Sequence, residues 1–130
     1  MQKQYIAYEG DEFTIEWYFD DRGNSYALEY FDSLPTERKK KVLHLFKLMG
    51  DVGKIYNEEK FRYEGDQLYA FKPAPDRFLC FFFDGAKIIV VSAYEKKMAK
   101  MPVREKDRAL KAKKDYEERS KKGKYYDEKT

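Results

Sequence analysis

The sequence predicts an α+β fold built on a small antiparallel sheet, and three observations support this class. Residues 68–102 contain three strand-like runs joined by two short turns. Residues 13–19 alternate apolar and polar side chains, and the stretches before and after the three runs repeat apolar residues at helical spacing. The predicted order is a strand, two helices, a three-strand meander and a C-terminal helix, which is an α+β pattern.

The first strand and the first helix are predicted from short local patterns. In residues 13–19 every second side chain is apolar, which is typical of a half-buried strand. Residues 20–24 are rich in turn formers and separate this strand from the next element. From Ser25 the apolar spacing predicts a short helix that ends at Pro35.

The second helix is expected to begin at Pro35, because proline suits the first position of a helix. Its apolar side chains follow the i, i+3, i+4, i+7 stripe to about Met49. Gly50 and Gly53 are expected to end it. Residues 54–66 have no clear period, so we expect a loop there.

The meander and the last helix complete the fold. Turns at 74–76 and 84–86 are short enough for antiparallel hairpins. Pro102 opens a helical pattern that continues to about Ser120, and residues 121–130 are expected to be a mobile tail because they have no apolar period.

We expect a single domain over 1–130, with 1–12 as an N-terminal extension. The composition is 42% hydrophobic and 39% charged, with a mean hydropathy of -0.90, which indicates a core within a very polar exterior. The start of the chain lacks the features of a signal peptide and no apolar run is long enough for a bilayer, so a cytoplasmic location with no membrane contact is expected. Cys80 is the only cysteine and is expected to be buried, without a disulfide.

Charge is strongly polarised along the chain. Residues 1–37 carry two cations and nine acids, a net charge of -7, whereas residues 96–130 carry fourteen cations and seven acids, a net charge of +7. A basic region of this kind attracts polyanions. A solvated helix face is the alternative interpretation of the same lysines.

Cations recur in the meander where an apolar sheet needs none. Because side chains alternate between faces, Ser92, Tyr94 and Lys96 share one face of the last strand. Binding of an anion at the strand ends is the simplest explanation for these cations. The five candidate catalytic residues are Lys72, Arg77, Tyr94, Lys96 and Lys97, and the four candidate RNA-binding residues are Lys60, Arg62, Ser92 and Lys100.

Other chemistries have little support in the sequence. His44 is the only histidine and lies within the second helix, so neither a metal cluster nor a Ser-His-Asp triad is expected. No glycine-rich phosphate loop is present, and no cofactor is expected. Cleavage of RNA by its own 2′-hydroxyl needs proton transfer and positive charge around the phosphate. Arginine and lysine supply the charge, a lysine cluster lowers a lysine pKa, and a tyrosine relays a proton or stacks on a base.

The meander and the last helix together resemble the RelE/HigB superfamily of type II toxin–antitoxin toxins, in particular its phage-associated HigB-like branch. The family pattern is a Leu-Tyr strand with a basic end, an Arg-led apolar strand, a strand ending in an aromatic residue and two lysines, and a proline before a helix. The matching residues are Leu68, Tyr69, Lys72, Arg77, Tyr94, Lys96, Lys97, Pro102, Ala109 and Tyr116.

This resemblance implies a RelE/ParE-like fold with helices on one side of the sheet. It also implies an mRNA endonuclease that acts on ribosomes without a metal, in which Lys72, Arg77 and Lys96 or Lys97 bind the scissile phosphate. A cognate antitoxin, of the helix-turn-helix type, is expected to hold the toxin inactive in a hetero-oligomer. The alternative is a non-catalytic binding protein of the same fold, such as a gyrase inhibitor or a degenerate toxin, which the pair Ala70 and Ser92 favours.

Overall fold

A computed structural model gives the architecture, and it describes residues 4–126. Three helices and six strands occur in this part of the chain. In chain order they are β1 (Ile6–Glu9), β2 (Thr14–Trp17), α1 (Tyr26–Asp32), α2 (Thr36–Val52), β3 (Phe61–Gly65), β4 (Leu68–Phe71), β5 (Asp76–Phe83), β6 (Lys87–Glu95) and α3 (Val103–Lys121). The predicted α+β class is confirmed.

The strands form one sheet in the order β1-β2-β6-β5-β4-β3. The predicted meander is confirmed, because β4, β5 and β6 pair antiparallel in sequence. The sheet as a whole is mixed, since β2 runs parallel to β6 along their full contact. This parallel pair places the first two strands beside β6, the last strand of the meander.

Two strands lie where none was predicted. β1 lies within the N-terminal extension and pairs with β2 across a register shift. β3 lies within the predicted loop 54–66 and pairs with β4, also with a register shift. Both are short edge strands, and neither carries an alternation of apolar and polar residues as long as the one over residues 13–19 that identified β2.

Helix α2 continues one turn beyond its predicted end. It runs to Val52, and Gly53 caps it at a positive φ of 86°. Gly50 is instead a contact point inside the helix, where its carbonyl accepts hydrogen bonds from Glu12 and Phe13. A Cβ atom at Gly10 would lie 2.2 Å from the Gly50 backbone, so this close approach of the β1–β2 turn requires glycine.

The helices cover both faces of the sheet. Helices α1 and α2 pack on one face, where Phe46 of α2 joins Phe78 of β5 in the core. Cys80 of β5 is fully buried in the same core, as predicted. Helix α3 packs on the opposite face against Leu79 and Phe81. The implied arrangement with all helices on one side is therefore wrong, because α3 buries its own stripe of Ala109, Ala112 and Tyr116 on the second face.

The start of the predicted mobile tail packs onto this second face. Tyr125 is 2% exposed, and its hydroxyl accepts a hydrogen bond of 2.8 Å from the Phe19 backbone. The prediction of a mobile tail is thus wrong for Tyr125 and Tyr126, whose rings bury enough apolar surface to hold them in place. The rest of that predicted tail, 127–130, lies outside the described residues. Between residues 4 and 126, no helix is long and apolar enough to cross a membrane.

Candidate functional site

A small cavity of about 120 Å³ opens at one end of the sheet, on the face that α3 covers. We call it the basic cavity. Six of the nine residues predicted for the site line it, together with Glu64 and the loop before α3. The six are Arg62, Lys72, Arg77, Tyr94, Lys96 and Lys100.

Strand pairing brings these side chains together from distant parts of the sequence. Arg77 lies directly opposite Tyr94 in the β5–β6 ladder, so both side chains project from the same face. The Lys96 amide extends this pairing with a hydrogen bond of 2.8 Å to the Pro75 carbonyl. Lys72 follows β4 immediately, and its amide donates to the Lys60 carbonyl. The end of β4, the start of β5 and the end of β6 therefore meet at one edge of the sheet.

A buried carboxylate anchors the start of β5 to the helices on the other face. Asp76 is fully buried and accepts hydrogen bonds from Arg38 Nε at 3.0 Å and from the Tyr30 hydroxyl. Asp76 raises the pKa of the Arg38 guanidinium by hydrogen bonding. Because neighbouring strand residues point to opposite faces, this anchor directs Arg77 towards the basic cavity. In the sequence Asp76 belongs to a predicted turn, and nothing there indicates its buried partners.

Within the basic cavity, the surroundings of Lys72 lower the pKa of its ammonium group. Burial lowers its pKa, and the nearby cations Arg62 and Arg77 lower it further, while Glu64 acts in the opposite direction. Its Nζ donates one hydrogen bond of 3.0 Å to the Glu58 carbonyl. Clustered cations in a partly buried position disfavour one another, so an anion bound among them would be stabilised.

Tyr94 keeps its proton at neutral pH. Burial raises the pKa of its hydroxyl, Glu64 raises it further, and Arg77 opposes both. In this protonated form the hydroxyl is able to donate a hydrogen bond.

Glu64 is the functional candidate that sequence reasoning missed. Its side chain is 15% exposed, and its Oε2 lies 3.6 Å from Arg62 Nε. The signal for it is parity, since Arg62 and Glu64 stand two residues apart and would share a face of a strand. Because the sequence predicted a loop over residues 54–66, strand alternation could not assign Glu64 to a face of the sheet.

Three predicted residues do not line the basic cavity. Ser92 is fully buried, and its Oγ donates a hydrogen bond of 2.8 Å to Glu105 Oε1, so its predicted contact with RNA is wrong. Lys60 lines a different cavity beside α2, together with His44 and Pro73. Lys97 is exposed on the loop before α3 and does not line the basic cavity.

The residues that line the basic cavity lie within the segment of the chain that matches a known family model. Residues 29–114 match the family model described as phage-derived protein Gp49-like. The match runs from α1 to within α3 and includes every residue that lines the basic cavity. No individually curated protein shows significant similarity to the chain.

Proposed function

The chain belongs to the phage-derived Gp49-like family, a family of RelE/HigB-like toxins of toxin–antitoxin systems, and we propose that it cuts messenger RNA on the ribosome. The observation that carries this proposal is the basic cavity, which combines five cations with one carboxylate and one protonated tyrosine. Within residues 4–126, the side chains of Lys96 and Lys100 have no ion-pair partner. Such a cavity suits a phosphodiester together with the groups needed for proton transfer.

In the proposed reaction a ribose 2′-oxygen attacks the adjacent phosphorus. A bond from phosphorus to the 2′-oxygen forms, and the bond from phosphorus to the 5′-oxygen of the next nucleotide breaks. The Glu64 carboxylate takes the proton of the 2′-hydroxyl, and the Lys72 ammonium gives a proton to the departing 5′-oxygen. The products are a 2′,3′-cyclic phosphate and a 5′-hydroxyl, so atoms and charges balance.

Each cavity residue has a distinct part in this scheme. The lowered pKa of Lys72 makes its ammonium a better proton donor than an ordinary lysine. Arg77 and Lys96 neutralise the charge that grows on the non-bridging oxygens of the phosphate. Tyr94 donates a hydrogen bond to the same group or stacks on a neighbouring base.

Membership of a toxin–antitoxin family implies an antitoxin as partner. We propose that the antitoxin is a helix-turn-helix protein with an acidic segment that covers the basic cavity in a hetero-oligomer. Charge complementarity supports this arrangement, because an acidic segment would neutralise the cavity cations and exclude RNA.

Expression followed by mapping of mRNA 5′ ends tests the function. We expect growth arrest and new 5′ ends inside translated messages, and we expect both to disappear in Arg77→Ala and Lys96→Ala. Lys114→Ala is a matched control, because Lys114 is an exposed cation on α3 that does not line the basic cavity.

Two outcomes would reject the proposal. Arrest without new 5′ ends would instead identify a non-catalytic binding protein, such as a gyrase inhibitor. Full toxicity of the folded Arg77→Ala variant would remove the basic cavity from the mechanism. Purified protein tested on the same message with and without ribosomes would then decide the requirement for the ribosome.

A further inference from the structure

A second and larger cavity, of about 730 Å³, lies between the start of α1 and the first half of α3. We call it the α1–α3 cleft. It opens on the same sheet face as the basic cavity, and its floor includes Val91 of β6. Its lining includes one aromatic and five charged side chains, which are Tyr26, Asp21, Arg104, Asp107, Arg108 and Lys111.

An aromatic ring and a guanidinium group form a stacked pair in this cleft. The Arg108 guanidinium carbon lies 3.8 Å from the centre of the Tyr26 ring, and Tyr26 is 41% exposed. Ser25 caps α1 by accepting a hydrogen bond from Leu28 N, which holds the adjacent Tyr26 in place. Arg108 Nε has no hydrogen-bond partner, and it lies 3.6 Å from Glu105 Oε1 in an ion pair along α3. Both tyrosine rings and guanidinium planes are surfaces on which unpaired bases stack.

The cleft also contains carboxylates that internal contacts do not use. Asp20 accepts hydrogen bonds within its own turn, and Asp115 is engaged by Tyr18 and Arg119. Asp21 and Asp107 are exposed, and neither makes a hydrogen bond or ion pair within the described chain. Carboxylates repel phosphates but accept hydrogen bonds from N–H groups on base edges. A guanine edge presents two adjacent N–H donors, which match the two oxygens of one carboxylate.

The α1–α3 cleft lies close to the basic cavity. Val91 and Tyr94 belong to the same strand and are three residues apart, which corresponds to roughly 10 Å. The side chain of Arg104 is 80% exposed and stands at the start of α3, where the loop of the basic cavity ends. A short extended stretch of RNA can therefore reach from one cavity to the other, with Arg104 and Lys111 available for its phosphates.

We infer that the α1–α3 cleft binds the base of a nucleotide next to the cleaved phosphate and prefers guanine. The base stacks on the pair formed by Tyr26 and Arg108, and its N–H edge faces Asp107 or Asp21. This inference rests on the proposed ribonuclease function and adds a determinant of the cleavage sequence to it.

Short RNAs that differ at one position beside the cut test this inference. Guanine, inosine, adenine and an abasic sugar are compared in messages bound to programmed ribosomes, using single-turnover cleavage and the binding of the protein to the same ribosome-bound messages with all 2′-hydroxyls methylated. We expect wild-type protein to favour guanine over the abasic sugar by about tenfold or more. Tyr26→Leu and Arg108→Gln should lose this preference, and Asp107→Asn should lose the difference between guanine and inosine.

Tyr56→Leu serves as the matched control. Tyr56 is 83% exposed and also has a cation over its ring, Lys54 at 5.9 Å, but it does not line the α1–α3 cleft. Its variant should keep the full guanine preference. Arg108→Lys provides a charge-preserving variant, which should lose most of the stacking contribution even if Arg108→Gln fails to fold.

The possible outcomes test the base site and the proposed ribonuclease function separately. Cleavage without base preference, or with a preference that survives in Tyr26→Leu and Arg108→Lys, overturns the inference and leaves the ribonuclease standing. Guanine-selective binding that depends on Tyr26 but occurs without cleavage supports the base site and rejects the nuclease. Absence of both cleavage of the ribosome-bound message and binding to it overturns both.

Discussion

At the start of α3 the basic cavity leaves cations open to solvent, whereas at the end of α3 a group of tyrosines encloses charged side chains on the same sheet face. We call the second group the tyrosine cluster. Its members are Glu16, Lys87, Tyr116, Tyr125 and Tyr126. Both regions combine a carboxylate, lysine and tyrosine, so residue type alone does not separate them.

The two regions differ in where their polar atoms find partners. In the tyrosine cluster the Tyr126 hydroxyl donates to Glu16 Oε1 at 2.7 Å, accepts from Lys87 Nζ at 2.9 Å and lies 2.6 Å from the Tyr116 hydroxyl. Burial raises the pKa of both Tyr125 and Tyr126. A network satisfied in this way stabilises the fold, whereas cations such as Lys96 and Lys100, which have no ion-pair partner within residues 4–126, are available to stabilise a bound anion.

The largest effect is expected from removing the centre of the tyrosine cluster. Tyr116 is fully buried against Phe81 and Phe83, so Tyr116→Ala should lower the free energy of unfolding by about 3–5 kcal/mol. Urea denaturation measures this. Arg77→Ala in the basic cavity should change it by less than about 0.5 kcal/mol. A small loss in Tyr116→Ala would mean that the two regions do not differ as described.

Substitution of Glu64 in the basic cavity should lower activity, whereas substitution of Glu16 in the tyrosine cluster should not. Glu64→Gln should slow cleavage by about 100-fold or more, because an amide cannot take the 2′-hydroxyl proton. RNA binding should be unchanged or tighter, since a negative charge is removed. Glu16→Gln is the control and should cleave at the wild-type rate. Single-turnover kinetics and equilibrium binding measure these effects, and a normal rate in Glu64→Gln would exclude Glu64 as the base.

A smaller effect is expected from one hydroxyl in the tyrosine cluster. Tyr126→Phe keeps the ring but leaves Glu16, which is 5% exposed, without its hydrogen-bond donor. The free energy of unfolding should fall by about 1–3 kcal/mol, while RNA cleavage stays unchanged. Equal stability of the variant and the wild type in urea would show that Glu16 finds another partner.

The smallest effect is a change in the titration of Lys72. Because Arg77 lowers the pKa of Lys72, Arg77→Ala should raise that pKa towards its ordinary value. In the wild type the protonated donor, and with it cleavage, is lost at a lower pH than an ordinary lysine would impose. NMR of methyl-labelled lysines measures this titration in the wild type and in Arg77→Ala. A Lys72 pKa that does not change in the variant would contradict the clustering of these cations.

Much of the fold could be predicted because its elements carry their own pattern. The stripe of α2, the hairpins of the meander and the proline before α3 each occur within a few consecutive residues. Strands β1 and β3 escaped prediction because they are short, lie at the sheet edges and pair with register shifts. Their stability comes from neighbouring strands, and this contribution leaves little trace in a short segment.

The candidate site was predicted in part for the same reason. Six of nine residues line the basic cavity. Alternation within a strand accounts for the shared face of Arg77 and Tyr94, whereas Arg62 lies on a strand that was predicted as a loop and Lys100 lies on the loop before α3. Ser92 has the correct parity but is covered by α3. Alternation gives the face of a side chain, and only the packing of a helix on that face decides whether it is accessible.

By itself, therefore, the sequence determined the α+β class, the meander, the three helices and the presence of cations at the strand ends. The tertiary structure alone decided that Glu64 joins the basic cavity, that Asp76 is locked to Arg38 on the opposite face, and that Tyr125 and Tyr126 close the far end of α3. The physical reason is the separation along the chain over which each interaction acts. Local periodicity acts over a few residues, whereas burial, pairing and pKa depend on atoms that are distant in the chain and adjacent only after folding.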